Sequence, residues 1–307
     1  VKENIKVVAI CGPTGVGKTE VSIEIATKFS GEIINFDSQQ FYQELCIGTA
    51  KPTAEERKGI PHHLFEELSL FEEMNAARFL ELADKKVKEI NLRGRLPILV
   101  GGTGLYLRVF EYGLFEVKVD PEIRKKLKIK AETELSSLFE ELKNLDPEYA
   151  QKIHPKDRVR IVRALEVILS TGKPFSEFHR QSLFFTQKRY PLLKIGLYLP
   201  REELYAKINA RVERMIEAGW LKEVESLYQK YGASVFDRIK AIGYKELYQV
   251  LCGELTLSTA LEKIKRDTRH YAKRQLTWFK KEKDLEWFKP SEILTILQRI
   301  EAFLKEA

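Results

Sequence analysis

Residues 12–19 read Gly-Pro-Thr-Gly-Val-Gly-Lys-Thr, a complete G-x-x-x-x-G-K-[ST] phosphate loop, and few short stretches constrain a fold so tightly. Such a loop has to join a strand to a helix. Ile5–Cys11 is an apolar run that predicts a buried strand, and Val21, Ile25 and Phe29 recur at one helical period across Glu20–Phe29. Glycines at 12, 15 and 17 let successive N–H groups turn toward one cluster of anionic oxygens, the helix N-terminus adds its dipole, and Lys18 reaches the phosphoryl oxygens. Gly12, Pro13, Thr14, Gly15, Val16, Gly17, Lys18 and Thr19 are therefore the expected anion site, with the Thr19 hydroxyl offered to a magnesium ion held largely by water and phosphate. The fold class that follows is α/β, a P-loop NTPase-like core with a parallel sheet flanked by helices. The loop does not identify the molecule that carries the phosphates; a nucleoside triphosphate is the default.

Farther along, Glu32–Phe36 predicts a second strand ending at Asp37-Ser38-Gln39-Gln40. In a parallel sheet that puts Asp37 at the mouth of the site, where a carboxylate can bind magnesium through water, act as a general base, or merely cap a turn. The adjacent His62 and His63 have no third ligand at metal-binding spacing and read as structural or hydrogen-bonding residues. Ala76–Leu92 predicts an amphipathic helix, and Leu96–Val100 a third strand running into Gly101-Gly102-Thr103-Gly104. A nucleoside triphosphatase usually ends that strand in a magnesium-holding Asp. Here the glycines permit close approach of backbone to ligand, and the Thr103 hydroxyl can bond a substrate, so the ATPase reading weakens.

Between residues 113 and 192 charged helical patterns replace strands: Pro121–Lys143, then Lys156–Ser170, broken at Gly172-Lys173-Pro174. Sheet character returns at Lys194–Leu199. The expected organisation is a core from residues 1–112 and 193–307 with an inserted, mainly helical domain at 113–192. Arg124, Arg158, Arg160 and Arg163 make the insert partly basic, suiting a clamp or lid, or simply a solvated helical subdomain. Leu204–Tyr228 predicts one long helix with Arg211 at the edge of its apolar stripe; an inward Arg needs an anion, a role its neighbour Arg214 can share. Lys263–Lys283 interleaves basic residues with His270, Tyr271, Trp278 and Phe279, which fits a phosphate backbone with unstacked bases as well as a solvated helix face.

With 44% hydrophobic and 32% charged residues the chain is not compositionally disordered, and no apolar run nears the roughly 18 residues that span a bilayer. Val1–Asn4 does not open a signal-peptide pattern, and Cys11, Cys46 and Cys252 lie too far apart for a zinc or disulfide framework; a cytoplasmic protein is expected. The net charge of +7 is modest and argues for nucleic acid only through its placement.

Taken in order, GPTGVGKT, DSQQFYQELCIGTAKP, PHHL, GGTGLY, RIVRALEV and TRHYAKRQLTWF resemble the bacterial tRNA dimethylallyltransferase family over nearly the whole chain. The resemblance implies transfer of a dimethylallyl group from its diphosphate to N6 of the adenosine 3′-adjacent to the anticodon, with Mg2+ as cofactor. Asp37, Thr14 and Arg211 would be catalytic and the loop would hold the diphosphate. Asp37, Ser38, Gln39, Gln40, Thr103, Arg124 and Val159-Arg160-Ile161-Val162-Arg163 would contact the tRNA anticodon stem-loop, joined by Lys273 and Arg274 of the basic segment. Partners beyond tRNA and dimethylallyl diphosphate, a membrane included, are not expected, and a monomer is. A small-molecule kinase, a prenyltransferase of free adenine nucleotides, and a non-catalytic RNA-binding protein are the alternatives.

Overall fold

Every residue of Val7–Cys11 (β1) is buried, so this strand has to sit inside the sheet with both faces covered. The computed structural model describes residues 4–114, 117–181 and 187–306. With β2 (Gly31–Asn35), β3 (His62–His63), β4 (Leu96–Gly101), β5 (Leu192–Leu197) and β6 (Leu285–Phe288), β1 forms a six-stranded sheet in the order β3-β2-β4-β1-β5-β6. Every pairing is parallel. The carboxyl ends of β1, β2 and β4 therefore open on one edge, where Ile10 pairs with Val100 and Asn35 with Val100 from the other side.

Helices cover both faces. On one, Phe79, Ala83 and Val87 of α2 (Ala76–Leu92) and Leu107 and Phe110 of α3 (Gly104–Tyr112) pack on Val7, Ala9 and Leu99. On the other, Val21 and Ile25 of α1 (Lys18–Lys28) meet Val8, Ile10 and Ile98.

By contacts the chain divides into two compact units, Val1–Gly113 with Lys188–Ala307, and Leu114–Gln187. The second is helical: α4 (Pro121–Thr133), α5 (Leu135–Leu145), α6 (Pro147–Ala150), α7 (Arg158–Thr171) and α8 (Phe175–Gln181). Its own core gathers Leu138, Leu142, Ile161 and Leu165. Lys188–Tyr190 already belong to the sheet-bearing unit, because Arg189 donates to Asp84 and Tyr190 stacks on Phe110.

After β5 come α9 (Arg201–Glu217), α10 (Trp220–Tyr231), α11 (Val235–Arg238), α12 (Tyr244–Leu251), α13 (Leu257–Phe279), the β6 edge strand, a 3-10 turn at Pro290–Glu292 and α14 (Ile293–Lys305). The single helix expected over Leu204–Tyr228 is two, because Gly219 takes φ 99, a left-handed value that ends α9 and starts α10. Likewise Pro121–Lys143 is broken at Glu134 into α4 and α5. Among the described residues no helix is long and apolar enough to cross a membrane.

The paired histidines stand on the short edge strand β3, outside any metal cluster among the described residues. His62 bonds the Ile60 carbonyl (2.8 Å) and His63 the Glu32 carboxylate (2.6 Å). Burial would raise the Glu32 carboxyl, but hydrogen bonds from Arg93 and His63 outweigh it and hold Glu32 below its usual range.

A second buried charge, Lys194 in β5, reaches Glu111 at the end of α3 across 2.6 Å, and both side chains are inaccessible to solvent. Glu111 also faces Lys188 (3.3 Å), so removing Glu111 strands Lys194, whereas removing Lys194 leaves Glu111 one cation. Glu111→Leu is expected to lower unfolding free energy by about 3–5 kcal/mol in urea titration, and Glu111→Leu with Lys194→Met to recover much of that; equal loss in both variants would contradict the pairing.

Candidate active site

The loop after β1 takes its shape from positive φ at Gly12, Gly15 and Gly17, and Val16 turns its side chain fully into the core, so Val16 offers a ligand only its backbone. Thr14 departs from the expectation that all loop amides converge on one anion. Its N–H donates to Gln275 Oε1 (2.8 Å), and its hydroxyl accepts from Arg211 Nη2 (2.6 Å). The first turn of α1 adds N–H donors that a helix cannot satisfy internally, apart from Val21, whose N–H donates to Gly17 O (3.4 Å). Lys18 donates to the carbonyls of Gly12 (3.0 Å) and Pro13 (2.9 Å), keeping one ammonium hydrogen in hand.

Burial lowers the Lys18 ammonium to about 8; Asp37 pulls it back up and Arg211 pushes it down. Burial likewise lowers the Arg211 guanidinium, against the attraction of Asp37, and its Nε is buried without a partner among the described residues. Arg214, the other candidate on α9, is exposed. Two desolvated cations beside an anion-shaped loop are a strong call for a phosphate ligand.

Asp37 follows β2, two strands from β1, at the same edge. Asn35, wholly buried, fixes the turn: its Oδ1 accepts the Asp37 N–H (2.8 Å) and its Nδ2 donates to Leu64 O (3.0 Å). Gln39 N–H donates to Asp37 Oδ1 (3.0 Å). Thr103 Oγ1 accepts the Ser38 N–H (3.0 Å), tying the β2 turn to the β4 turn. Gln39 Nε2 bonds Ser38 Oγ (3.2 Å), while Gln40 turns inward and donates to Thr49 O and Ala50 O. Tyr271 on α13 lies near Asp37, and burial together with that charge pushes its phenol up.

The glycines after β4 do permit a close approach, but to side chains of α13 rather than to a ligand. A Cβ on Gly102 would stand 2.2 Å from Gln275 Nε2, and one on Gly104 2.0 Å from the Trp278 ring. Gln275 Nε2 donates to Gly102 O (3.0 Å) while its oxygen holds Thr14. Sequence reasoning missed Gln275 and Asn35. The signal was there: each is a polar residue in phase with an apolar stripe, Gln275 on the face that carries Ile264, Thr268 and Ala272.

The other face of α13 exposes Lys273 and Arg274, with Arg274 lying over the Tyr271 ring (5.6 Å). Within the inserted unit, Arg124 grips Glu166 through two bonds (2.8 and 2.9 Å), and Arg163 holds the same carboxylate. Ile161 and Val162 are buried in that unit's core, so of residues 159–163 Val159 and Arg160 are exposed and Arg163 is half-buried. Their expected contact with RNA cannot be made by Ile161 and Val162 side chains.

The described residues contain no cluster of three or more His, Cys, Asp or Glu able to cage a metal. One hydroxyl, Thr19, at a helix N-terminus suits an ion carried by phosphate oxygens and water rather than a resident one.

A family model described as IPP transferase matches residues 40–282. The chain is 43% identical to tRNA dimethylallyltransferase 1 of Citrifermentans bemidjiense, covering 99% of this chain and 98% of that one. It is 45% identical to the tRNA dimethylallyltransferase of Caldanaerobacter subterraneus subsp. tengcongensis, over 92% and 91%. Among solved structures it is similar to the full-length tRNA isopentenylpyrophosphate transferase of Bacillus halodurans (TM-score 0.72, 39% identity, 99% and 97% covered). It is also similar to a eukaryotic dimethylallyltransferase acting on tRNA (TM-score 0.79, 35% identity, 89% and 69% covered).

The lowered Lys18 has a measurable consequence. An anion on the loop raises its proton affinity, so binding of inorganic sulfate, which does not itself titrate in this range, is expected to take up protons near pH 8 and to weaken as pH rises from 7 to 9.5. For folding the sign is opposite. The unfolded chain binds the Lys18 proton more tightly, so this group's contribution to stability grows as pH rises from about 8 toward 10.5. Calorimetry in buffers of different ionisation heat reads the proton uptake; none at any pH would remove Lys18 from the anion site.

Proposed function

The chain belongs to the IPP transferase family, and on that premise we propose that it transfers a dimethylallyl group from dimethylallyl diphosphate to N6 of the adenosine 3′-adjacent to the anticodon in tRNA. The observation that carries the reading is one carboxylate, Asp37, within electrostatic reach of two desolvated cations, Lys18 and Arg211, at the carboxyl edge of a parallel sheet. That pairs a proton acceptor with a site for a departing diphosphate.

The exocyclic amine of adenine is a weak nucleophile, its lone pair delocalised into the ring, so most of the barrier has to fall at the leaving group. As the C1–O bond breaks, its electron pair goes to the diphosphate; Lys18, Arg211, the Thr14 hydroxyl and the first-turn amides of α1 meet that growing charge in a site of low dielectric. The allylic carbon becomes electrophilic, N6 forms the new N–C1 bond, and the N6 proton passes to Asp37. Thr19 would hold Mg2+ together with the phosphate oxygens, and the ion would supply further neutralisation of the leaving group. A stacked base cannot reach such a site, so the target adenosine is taken to be flipped out of its loop. Ser38, Gln39, Gln40 and Thr103 would line its approach. Arg124, Val159, Arg160 and Arg163 in the inserted unit, with Lys273 and Arg274 on α13, would meet the RNA backbone; one copy of the chain suffices in this reading.

The kinase alternative loses ground on β4, which ends at Gly101 without an acidic residue. Incubation with magnesium, labelled dimethylallyl diphosphate and either unmodified tRNA or AMP tests the proposal: label is expected in tRNA, and label in AMP alone would move the activity to free nucleotides. Asp37→Asn is expected to lower turnover by about 10²–10⁴-fold with tRNA affinity kept; near-normal turnover would remove the general base. Lys273→Ala with Arg274→Ala should weaken tRNA binding and lower its salt slope by about 1–2, whereas an unchanged slope would assign both residues to the helix alone.

A further inference from the structure

Beyond the residues that face substrate, we propose that Glu223 is a positioning residue, setting the Asp37–Gln40 turn from the far side of the loop that follows it. Glu223 lies in the first turn of α10. Its Oε2 accepts the N–H groups of Cys46 (3.2 Å) and Ile47 (2.8 Å), and its Oε1 accepts the Gly48 N–H (3.3 Å) and the Tyr244 hydroxyl (2.6 Å). Three successive amides converging on one carboxylate is the concave arrangement by which backbone binds anions. Here the anion is a side chain 175 residues away from Gly48. Burial and the Glu223 charge raise the Tyr244 phenol well above its usual value, so it remains a donor.

The contact is close-fitting as well as polar. A Cβ on Gly48 would stand 2.2 Å from Trp220 Nε1 and 2.6 Å from Tyr244 Cε2, so the loop backbone lies directly on α10 and α12. Thr49 Oγ1 on Leu45 O (2.7 Å) and Ala50 N–H on Ile47 O (2.9 Å) are internal to the loop, and just before it the Tyr231 hydroxyl of α10 donates to Glu44 Oε1 (3.0 Å). Glu223 is the side chain that holds the amides of residues 46–48 on α10.

From the pinned loop the path to the site is short. Ala50 is held at φ 52, a left-handed conformation that a non-glycine residue keeps only where its surroundings fix it. The carbonyls of Thr49 and Ala50 accept from Gln40 Nε2 at 2.9 and 3.1 Å, and Gln40 N–H donates to Asp37 O at 3.3 Å. Glu223 thus orients the amides of residues 46–48, they set the two carbonyls, and those set Gln40 and the turn that presents Asp37. The inference rests on Asp37 as the proton acceptor of the proposed transfer.

Glu223→Gln keeps the side-chain shape but replaces one of the two acceptor oxygens with a donor, facing either backbone amides or the Tyr244 hydroxyl. Label transfer to tRNA, measured below the melting temperature of each protein, is expected to show kcat reduced on the order of tenfold with KM for dimethylallyl diphosphate within about twofold. Amide hydrogen exchange should quicken over residues 37–40 as well as 46–50. Because the effect runs through Gln40, Glu223→Gln with Gln40→Ala should lose no more than the worse single variant. If Glu223→Gln does not fold, Ala50→Gly loosens the same loop at a φ glycine accepts freely, and is expected to lower kcat several-fold, about threefold or more, without lowering the melting temperature. Normal kcat in the folded variants, or losses that multiply in the double variant, would overturn the proposal. Wild-type protein that labels no RNA would instead overturn the transferase reading, and exchange over residues 37–40 would still decide whether Glu223 sets that turn.

Discussion

One buried carboxamide holds the site together. Gln275 accepts from the Thr14 N–H with its oxygen and donates to the Gly102 carbonyl with its nitrogen, so a single α13 side chain joins the loop after β1 to the turn after β4. Each bond contributes about 1 kcal/mol net, but leaving either buried partner unsatisfied would cost more, and the arrangement is correspondingly rigid. Gly102 makes room for this contact, since a Cβ there would strike Gln275, and Gly104 makes room for Trp278 on the same helix. The helix that braces the phosphate loop from one side carries exposed Lys273 and Arg274 on the other, so loop geometry and a basic surface are built into one element.

Around that brace the charges divide by task. Lys18 and Arg211 are desolvated cations with more donor capacity than the protein uses, and Asp37 is the anion that both of them sense. In the proposed reaction a diphosphate would supply the missing negative charge, and its departure would leave the cations as they stand, with no reorganisation at the moment of reaction. Asp37 itself is aimed by neighbours: Asn35 and Gln39 hold the turn, and Thr103 ties it to the next strand.

Sequence patterns carried the parts of this arrangement that are local. The strand, loop and helix across residues 5–29, the acidic strand end at Asp37 and the amphipathic α2 each follow from periodicity and spacing within a few turns of chain. What pattern reading lost was long-range or one-sided. Gln275 meets Thr14 across 261 residues and nothing near either position marks the pair. Gly219 sits inside an unbroken amphipathic pattern, and only its φ of 99 shows that α9 ends there. The stretch Val159–Arg163 reads as one block in sequence, yet helical geometry buries Ile161 and Val162 and leaves Val159 and Arg160 outside. Arg211 and Arg214 are indistinguishable by type and spacing; burial and the bond to Thr14 separate them.

In the proposed reaction the loop of residues 12–19 serves a diphosphate leaving group beside Asp37. A crystal structure with the unreactive thiolo-diphosphate analogue of the prenyl donor and an anticodon stem-loop tests it most directly. The diphosphate is expected on the first-turn amides of α1, within reach of Lys18 and Arg211, with an extruded adenosine whose N6 is hydrogen-bonded to an Asp37 carboxylate oxygen. A diphosphate bound away from residues 12–19, or an adenosine whose N6 meets no carboxylate, would contradict it.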